Sequence, residues 1–401
     1  MTDYKNLKLR ASSNPHIRNG EDTRGLMLDV IIALMPALLF GVWHFGVRVA
    51  ISAVVSVASA IFFEWLYRKL LHKPQMIGDL SAAVTGLLLS MVNKKAQEFD
   101  KDMGQAMYEC LLCDACTNDC ATGYQPPLFI REARTEAVVS EVAPESVMNL
   151  IENVETTGNI YGVEKPSYGQ NGTDVLVYIG EVAAIKVPEM AKHLLALLAK
   201  AGVSAKVLAN EPASGVMLGD LMGYTEEVRK QAEVCAKALN ETGLPVVVLD
   251  SYDAEIMTQK YPEWGCEITA GVTTATAFVA KLLEEKKLAA KAALGTLGAC
   301  HDDDRLARTF HEFAPVRSIA KAAGYELTEM FNHEKLAKSC GTAVAYGYMP
   351  ELVTRIAGGR WDDLTRTDAK AMLVACPETW LCFSLCVPEG YQLVDLFGAL
   401  L

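Results

Sequence analysis

Residues 174–180 read DVLVYIG, and the amphipathic segment PEMAKHLLALLAKAG follows at 188–202. Two further apolar runs come later in the chain, AKVLAN at 205–210 and PVVVLDS at 245–251. Short apolar runs that alternate with amphipathic segments of about 10 to 15 residues are typical of strand–helix–strand units. The chain from residue 173 on therefore predicts an α/β fold.

This part of the chain also contains an internal repeat. The motifs YIGE (178–181), ASG (213–215) and VLDS (248–251) align in order with LGAC (297–300), SCG (339–341) and VACP (374–377). The segments LLAKAG and IAKAAG correspond as well, and each closes on a glycine that suits a helix C-terminus. We predict a duplicated domain, with repeat 1 at 173–285 and repeat 2 at 291–401.

Upstream of the repeats, residues 110–120 read CLLCDACTNDC, a C-x2-C-x2-C-x3-C run. This is the bacterial ferredoxin spacing, which predicts a [4Fe–4S] cluster on Cys110, Cys113, Cys116 and Cys120. Ala121 stands where the usual pattern has proline, and the chain has no second run of this kind. Cys120 is either the fourth ligand of this cluster or a ligand whose own neighbouring cluster is missing. Zinc and purely structural roles are the alternatives.

The sequence after this run resembles a known family. PPLFIREARTEAV (126–138) and NVETTGNIYG (153–162) are similar to the region behind the second ferredoxin motif of heterodisulfide-reductase-like iron–sulfur proteins. That group includes the HdrD, GlpC and glycolate oxidase iron–sulfur subunits. The resemblance implies a small helical ferredoxin-like segment at 94–165, followed by two CCG-type domains.

The CCG motif of that family has one cysteine, then Cys-Cys-Gly, then Cys-x-x-Cys. Repeat 2 matches its spacing with Cys300, Cys340 and Cys376, whereas Ser339 and Thr379 replace two cysteines. The resemblance implies a second iron–sulfur site on those three thiols, with an exchangeable fourth position or with help from Cys382 or Cys386. The alternative is that they are small buried apolar residues.

Repeat 1 retains no cysteine at these positions. It has Glu181, Ala213-Ser214-Gly215 and Ser251 instead. A hydroxyl is a poor substitute for a thiolate on iron. We therefore expect repeat 1 to be structural only.

The N-terminal region predicts membrane helices. Residues 25–46 contain one charge, Asp29, and residues 49–67 contain one charge, Glu64. Each run has the length of about 20 residues that a helix needs to cross a hydrocarbon core of about 30 Å. The apolar run at 79–92 is short for a span and fits an interfacial helix. We predict a membrane anchor at 1–93, with a pair of buried core helices as the alternative.

The basic residues around these runs predict the orientation. They stand before the first run and after the second, at Lys5, Lys8, Arg10, Arg18, Arg24, Arg68, Lys69, His72 and Lys73, with only Arg48 between the runs. Because basic residues stay on the cytoplasmic side, we expect an inner-membrane protein whose residues beyond 68 face the cytoplasm.

The same region resembles a second family. SSNPHIR (12–18), TRGLMLDVIIALMPALLFGVW (23–43) and IGDLSAAVTGLLLSMV (77–92) look like the opening helices of the RnfD/NqrB family. Those proteins are membrane subunits of ion-pumping redox complexes, so the resemblance implies a membrane location and partner subunits. It covers about the first 93 residues and lacks the later helices and the flavin-bearing motif. The chain therefore reads as a fusion of two partial families.

The composition of the chain excludes some classes of function and favours others. A net charge of −12 argues against a nucleic-acid partner, and eleven cysteines, an odd number in tight clusters, indicate metal or redox work rather than a disulfide framework. The acidic run Asp302–Asp304 is expected to be solvated rather than to bind magnesium, and Cys235 and Cys266 are expected to be structural. The chain has no Walker loop and no strand-linked G-x-G-x-x-G, so nucleotide binding has no support.

Together these features predict a membrane-tethered iron–sulfur electron-transfer protein, an oxidoreductase subunit. It would pass electrons between a flavoprotein or membrane electron carrier and a thiol, disulfide or quinone acceptor, beside other complex subunits and membrane lipid. The alternative is a non-catalytic docking or assembly subunit with a degenerate CCG scaffold.

Overall fold

The computed structural model describes residues 23–71, 77–91 and 100–401. The chain divides into two compact units, Met1–Phe99 and Asp100–Leu401. The basic residues before Thr23, together with His72 and Lys73, lie outside the described residues, as does part of the predicted junction between the two family-like regions.

The N-terminal unit consists of helices α1 (Thr23–Phe45), α2 (Val47–Leu70) and α3 (Ser81–Met91), with a 3-10 turn at Ile77–Asp79. Gly46, with a φ of 81°, separates α1 from α2. Among the described residues only α2 is long and apolar enough to cross a membrane. The apolar stretches Met27–Trp43 of α1 and Ser81–Met91 are shorter.

The described exposed faces of α1 and α2 are largely apolar. Large side chains on α1 and α2 are exposed, among them Leu39 (63%), Trp43 (81%) and Phe63 (64%). The one acidic side chain of α2, Glu64, forms an ion pair of 2.8 Å with Arg68 one turn later. Helices that are apolar on their exposed faces suit a lipid environment better than water.

The backbones of helices α2 and α3 lie in direct contact. A Cβ atom built on Gly86 of α3 would lie 2.5 Å from the Cα atom of Val57 and 2.9 Å from the carbonyl oxygen of Ser56. Ala53 and Ala82 are buried in the same helices. Small residues let two helices approach this closely, and such contacts replace the hydrophobic driving force within lipid.

The second unit begins with four helices, α4 (Lys101–Met107), α5 (Ala115–Asp119), α6 (Pro126–Val139) and α7 (Glu145–Thr157). Repeat 1 follows, with strands β1 (Val175–Tyr178), β2 (Ala205–Lys206), β3 (Val246–Val248) and β4 (Val272–Thr274). Its helices are α8 (Glu181–Ile185), α9 (Pro188–Lys200), α10 (Val216–Met222), α11 (Glu226–Asn240), α12 (Ser251–Glu255), α13 (Tyr261–Glu263) and α14 (Ala275–Glu284), with a π-helical turn at Ile256–Lys260.

Repeat 2 has strands β5 (Leu297–Cys300), β6 (Glu326–Leu327), β7 (Ala371–Val374) and β8 (Gln392–Asp395). Its helices are α15 (Asp304–Arg308), α16 (Phe313–Ala322), α17 (Ala343–Tyr348), α18 (Pro350–Thr365), α19 (Pro377–Ser384) and α20 (Leu396–Leu400), with a 3-10 turn at Glu334–Leu336.

Both sheets have four parallel strands in the same order, β2-β1-β3-β4 and β6-β5-β7-β8. The strands β1, β3 and β7 are buried on every residue, as expected of parallel strands covered on both faces. In each sheet the strand order reverses between the two central strands, and the loops that follow those two strands meet there. The two equal topologies place the segments after β1, β3, β5 and β7 at such switch points.

The structure corrects one detail of the repeat alignment. Sequence motifs paired Glu181 with Cys300, but Glu181 is the first residue of α8 and its counterpart, the first residue of α15, is Asp304. Cys300 is still within β5, where it pairs with Leu373. After β3 and β7, Asp250 and Cys376 occupy the same helix N-cap position. The motifs were aligned on apolar residues, which do not mark the strand ends.

The close contact between α2 and α3 yields a prediction. Replacing Gly86 with alanine should destabilise this packing by about 1–3 kcal/mol, because the new methyl group meets backbone that cannot rotate away. Hydrogen exchange of the α2 and α3 amides in detergent should become faster. Gly25→Ala in α1 is the matched control, since among the described residues no atom beyond its own turn of helix lies within 4 Å of its Cβ position. Equal exchange in both variants would contradict the contact.

Candidate functional site

The cysteine run lies on a loop that continues into the single turn of α5. Leu112 and Asp114 both have left-handed backbone conformations, with φ of 55° and 60°. They reverse the chain direction between Cys110 and Cys116, so that the loop folds back on itself. Cys116 is exposed and the other three cysteines of the run are partly exposed.

Backbone amides point at the sulfur atoms of the loop. The amide of Leu112 donates to Cys110 Sγ at 3.4 Å, and that of Tyr124 donates to Cys120 Sγ at 3.3 Å. The amide of Ala115 lies against the Cys113 thiol in the same way. Amide hydrogen bonds to sulfur stabilise thiolates and tune iron–sulfur clusters, so the donor set and its surroundings fit a cluster chemically.

Three arginines hold the loop through its carbonyl oxygens. Arg134 donates to Cys110 O at 2.5 Å, Arg305 to Leu112 O at 2.9 Å and Arg308 to Cys113 O at 2.7 Å. Arg134 belongs to α6, whereas Arg305 and Arg308 belong to α15 of repeat 2. The loop is therefore built onto the repeats, and three guanidinium groups hold its backbone in place.

Arg305 is the centre of this arrangement. Its side chain is fully buried, and its guanidinium forms ion pairs with Asp114 of the loop (2.6 Å) and Glu255 of repeat 1 (3.0 Å). The guanidinium also lies 4.7 Å from the ring centroid of Tyr252. One side chain thus joins the cysteine loop, repeat 1 and repeat 2.

The acidic run Asp302–Asp304 is buried, so the expectation that it would be solvated is wrong. All three residues are at most 4% exposed. Asp302 pairs with Arg317 at 2.7 Å and Asp304 with Arg308 at 2.5 Å. Burial raises the pKa of Asp304, although its arginine partner opposes the shift. A run of three charges is buried here because each carboxylate has partners of its own.

Three hydroxyl groups are partners of this run. Ser251 of repeat 1 and Thr379 of repeat 2 both donate to Asp303, at 2.6 and 2.9 Å. Ser339 donates to Asp304 at 2.5 Å. Of these three hydrogen bonds, the one from Ser251 joins the two repeats, whereas those from Ser339 and Thr379 lie within repeat 2.

The three cysteines proposed for a second cluster have different surroundings. Cys300 is buried at the end of β5, and burial raises the pKa of its thiol to about 12. Cys340 is within hydrogen-bonding distance of Cys382. Cys376 lies 3.4 Å from Ser251 Oγ and 3.7 Å from Asp250 Oδ1. Cys235 is also buried, as predicted for a structural thiol.

In the described part of the chain no three His, Cys, Asp or Glu side chains converge in the manner that a metal ion requires. The side chains of Cys110, Cys113, Cys116 and Cys120 do not meet at one point, nor do those of Cys300, Cys340 and Cys376. Both ligand sets stay predictions from sequence. Their chemistry fits, and their side-chain arrangement here is not that of a bound cluster.

A cleft of about 350 Å³ opens beside the loop. Asp114, Thr117 and Asn118 of the loop line one part of it. Tyr224 and Lys260 of repeat 1 line another. Its mixture of charges and aromatic surface suits a polar partner that approaches the cysteine loop from repeat 1.

Sequence reasoning missed the three arginines and the burial of the acidic run. Arg134 lies in the quoted FIREAR segment, and Arg305 and Arg308 lie in CHDDDRLAR. Neither local pattern shows which distant backbone a guanidinium contacts. The signal that could have revealed this site was the group of four adjacent charged residues, 302–305, just after a buried strand.

The N-terminal unit is similar to known proteins. Residues 10–94 match the NQR2, RnfD, RnfE family. This region resembles a membrane redox-complex subunit. It is 43% identical over 84 residues to the subunit named D in the Na(+)-translocating ferredoxin:NAD(+) oxidoreductase complex of Acetobacterium woodii, covering 21% of this chain and 26% of that protein.

Two further relatives match the same region. The corresponding subunit of the proton-translocating ferredoxin:NAD(+) oxidoreductase complex of Clostridium ljungdahlii is 41% identical over 80 residues, 20% of this chain and 24% of that protein. That of the ion-translocating oxidoreductase complex of Actinobacillus succinogenes is 39% identical over 84 residues, with shares of 20% and 24%. The chain spans about a quarter of the length of these relatives.

The central role of Arg305 can be tested by removing its charge. Arg305→Met should destabilise the second unit by about 3–5 kcal/mol, because Asp114 and Glu255 would remain in place without their shared cation. Guanidinium denaturation of the solubilised chain measures the loss. Arg366→Met is the control, since Arg366 is 72% exposed and 3.5 Å from its acidic partner. A loss no larger than that of the control would contradict the role given to Arg305.

The cysteines of the loop should differ in reactivity. Burial, reinforced by nearby Asp304, raises the pKa of the Cys113 thiol to about 11, whereas hydrogen bonds from Thr122 and from backbone amides lower the pKa of Cys120. Because only the thiolate reacts, iodoacetamide at pH 8 should alkylate Cys120 at least about tenfold faster than Cys113 in iron-free protein. Peptide mass spectrometry gives both rates, and the reverse order would contradict the loop geometry.

Proposed function

We propose that this chain is a membrane-tethered iron–sulfur electron-transfer subunit. Its N-terminal unit would anchor it beside partner subunits of a redox complex, and the loop at 110–120 would hold a [4Fe–4S] cluster. The observation that carries the proposal is the unbroken C-x2-C-x2-C-x3-C run on a loop that has amide donors at its sulfur atoms and arginines at its carbonyl groups.

The anchoring part rests on two observations. Residues 10–94 match a family of membrane subunits from ion-translocating redox complexes, and α1 and α2 expose large apolar side chains. A cluster-bearing unit attached to such an anchor would be kept close to membrane-bound electron carriers. We propose that residues beyond 68 face the cytoplasm, as the basic residues before α1 and after α2 predict.

A [4Fe–4S] cluster, when bound, accepts and donates one electron at a time. The residues of this chain would set its environment. Arg305 and Arg308 would hold the carbonyl groups of the loop from the side of repeat 2, while the amides of Leu112 and Tyr124 would donate to ligand sulfurs. A partner in the cleft beside the loop would reach the exposed side of the cysteine run.

For the electron acceptor we propose a chemical class. The resemblance of residues 100–401 to heterodisulfide-reductase-like proteins suggests a thiol, disulfide or quinone, and the neighbouring thiols of Cys340 and Cys382 offer a two-electron site. A cluster on Cys300, Cys340 and Cys376 is the other arrangement that the family resemblance implies.

A docking subunit without electron transfer is the second function. The observation that favours it is the commitment of Ser251, Ser339 and Thr379 to the buried acidic run. Ser339 and Thr379, which the resemblance to the CCG family aligns with cysteine ligands, would then act as hydrogen-bond donors within the scaffold. In that case the repeats would be a scaffold that positions the anchor and its neighbours.

Iron analysis distinguishes the two functions. Protein purified anaerobically should contain about four iron atoms and four acid-labile sulfides per chain, or more if repeat 2 also holds a cluster. After reduction it should give an electron paramagnetic resonance signal. Cys113→Ser should remove that signal, whereas Cys266→Ser, which changes a partly exposed cysteine outside every predicted ligand set, should not. Protein without iron after anaerobic reconstitution would leave only the docking function.

The anchor has its own test. The chain should remain with membranes after a carbonate wash, because α1 and α2 would be held by their apolar surfaces rather than by charge. Release of the full-length chain by carbonate would contradict a spanning anchor without bearing on the cluster.

A further inference from the structure

Large apolar side chains are exposed directly after the cysteine run. Tyr124 is 59% exposed, and Leu128 and Phe129, which begin the next helix, are exposed as well. Single exposed apolar residues are ordinary, but several at one place on a protein surface often mark an interaction site. The group that follows Cys120 therefore requires an explanation.

Two contacts place this group on the surface that the cysteine loop also forms. The amide of Tyr124 donates to Cys120 Sγ at 3.3 Å, so the Tyr124 backbone touches a predicted ligand. Leu128 lines the cleft beside the loop, together with Asp114 and Thr117 of the loop itself. A molecule that covered Tyr124 and Leu128 would therefore lie against the cysteine run.

A second exposed group belongs to repeat 2. Phe331 (76% exposed) and Leu336 (54% exposed) line one groove of about 570 Å³. Arg308 holds this segment next to the cysteine loop, because its guanidinium donates to Cys113 O at 2.7 Å and to Lys335 O at 3.2 Å. One side chain thus binds both the loop and the residue that precedes Leu336.

Together the two groups flank the cysteine loop on two sides. The side of α6 contributes three members and the side of repeat 2 contributes two. We call these five side chains the apolar rim: Tyr124, Leu128, Phe129, Phe331 and Leu336.

The charges near the apolar rim are mainly acidic. From residue 102 to residue 130 the chain contains four carboxylate side chains and no Lys, Arg or His. Two of the four, Glu109 and Asp119, are exposed immediately before and within the cysteine run. On the side of repeat 2, the exposed neighbours Glu334 and Lys335 offset each other. The net charge of this surface is therefore negative.

The charge and the size of this surface indicate what covers it. A second copy of the chain that docked through the same face would bring like charges together. A partner with a basic surface is attracted instead, and its approach is accelerated. Five exposed side chains make a small patch, which suits a transient electron-transfer contact better than a permanent subunit interface.

We propose that the apolar rim docks a small basic protein that carries single electrons, with an apolar patch of the carrier packed against Tyr124, Leu128 and Leu336. That the carrier exchanges electrons with this chain rests on the proposed function above. The docking itself depends on the polypeptide surface and does not require iron.

The test measures binding of two probe proteins to the full chain in detergent, with and without iron. Cytochrome c is the basic probe and an acidic plastocyanin is the other, and both carry single electrons. Surface plasmon resonance at about 20 mM salt should show binding of cytochrome c alone. Raising the salt to about 200 mM should weaken this binding at least about tenfold, because the charge attraction is then screened.

Two sets of substitutions locate the contact. Leu128→Ser/Leu336→Ser removes one member of the apolar rim from each side of the loop and should weaken cytochrome c binding at least about tenfold. Glu109→Gln/Asp119→Asn should slow association about threefold or more and reduce its salt dependence. All four residues are exposed, so circular dichroism should show an unchanged fold.

Val234→Ser/Glu241→Gln is the matched control. It removes one exposed apolar side chain and one exposed charge from the region of α11, where Val234 lines a different groove. This variant should bind cytochrome c like the wild type, which shows that attraction to the acidic chain as a whole is not the cause.

Binding of both probes alike, or of neither, would overturn the proposal, as would unchanged binding in Leu128→Ser/Leu336→Ser. Wild-type dimers that this variant abolishes, seen by light scattering, would assign the apolar rim to a second copy instead. Cytochrome c binding by a chain that cannot be loaded with iron would support the docking and contradict the cluster. Iron-loaded chain that does not bind cytochrome c would do the reverse, so the two failures are distinguishable.

Discussion

The burial of one positive charge, that of Arg305, organises the second unit. A guanidinium without solvent must be surrounded by acceptors, and here these are Asp114 and the Leu112 carbonyl of the cysteine loop together with Glu255 of repeat 1. Because Arg305 itself stands on α15 of repeat 2, its pairing requires all three segments to be in place at once. Displacement of the loop would leave the buried guanidinium of Arg305 without these acceptors. The cost of that change holds the four cysteines in a defined position.

The buried acidic run is the second feature that joins the two repeats. Ser251 of repeat 1 and Ser339 and Thr379 of repeat 2 donate their hydroxyl protons to it. Both sheets have the same strand order, and glycines with positive φ, such as Gly180 and Gly215, shape the switch point of the first sheet.

Local patterns in the sequence predicted those parts of the fold that depend on short-range periodicity. The runs at 175–178 and 246–248 are strands and 188–200 is a helix. The apolar segments at 25–46, apart from Gly46, and at 49–67 lie in α1 and α2. The motif order also indicated the repeat. The pairing of Glu181 with Asp304, the burial of Asp302–Asp304 and the contacts of Arg134 and Arg305 were not predictable in this way. The contact of Arg134 with Cys110 joins residues 24 positions apart and that of Arg305 with Asp114 joins residues 191 apart, and periodicity does not report such distant partners.

The most direct test of this account is a double-mutant cycle between Arg305 and Asp114, measured by denaturation of the solubilised full-length chain. Asp114→Asn keeps a residue that tolerates the left-handed backbone at φ 60°, so it removes the charge without straining the loop. If the buried ion pair holds the cysteine loop against repeat 2, the two substitutions should be coupled by about 1.5 kcal/mol or more. Effects that add within about 0.5 kcal/mol would show that the loop is held independently of Arg305 and would contradict the account.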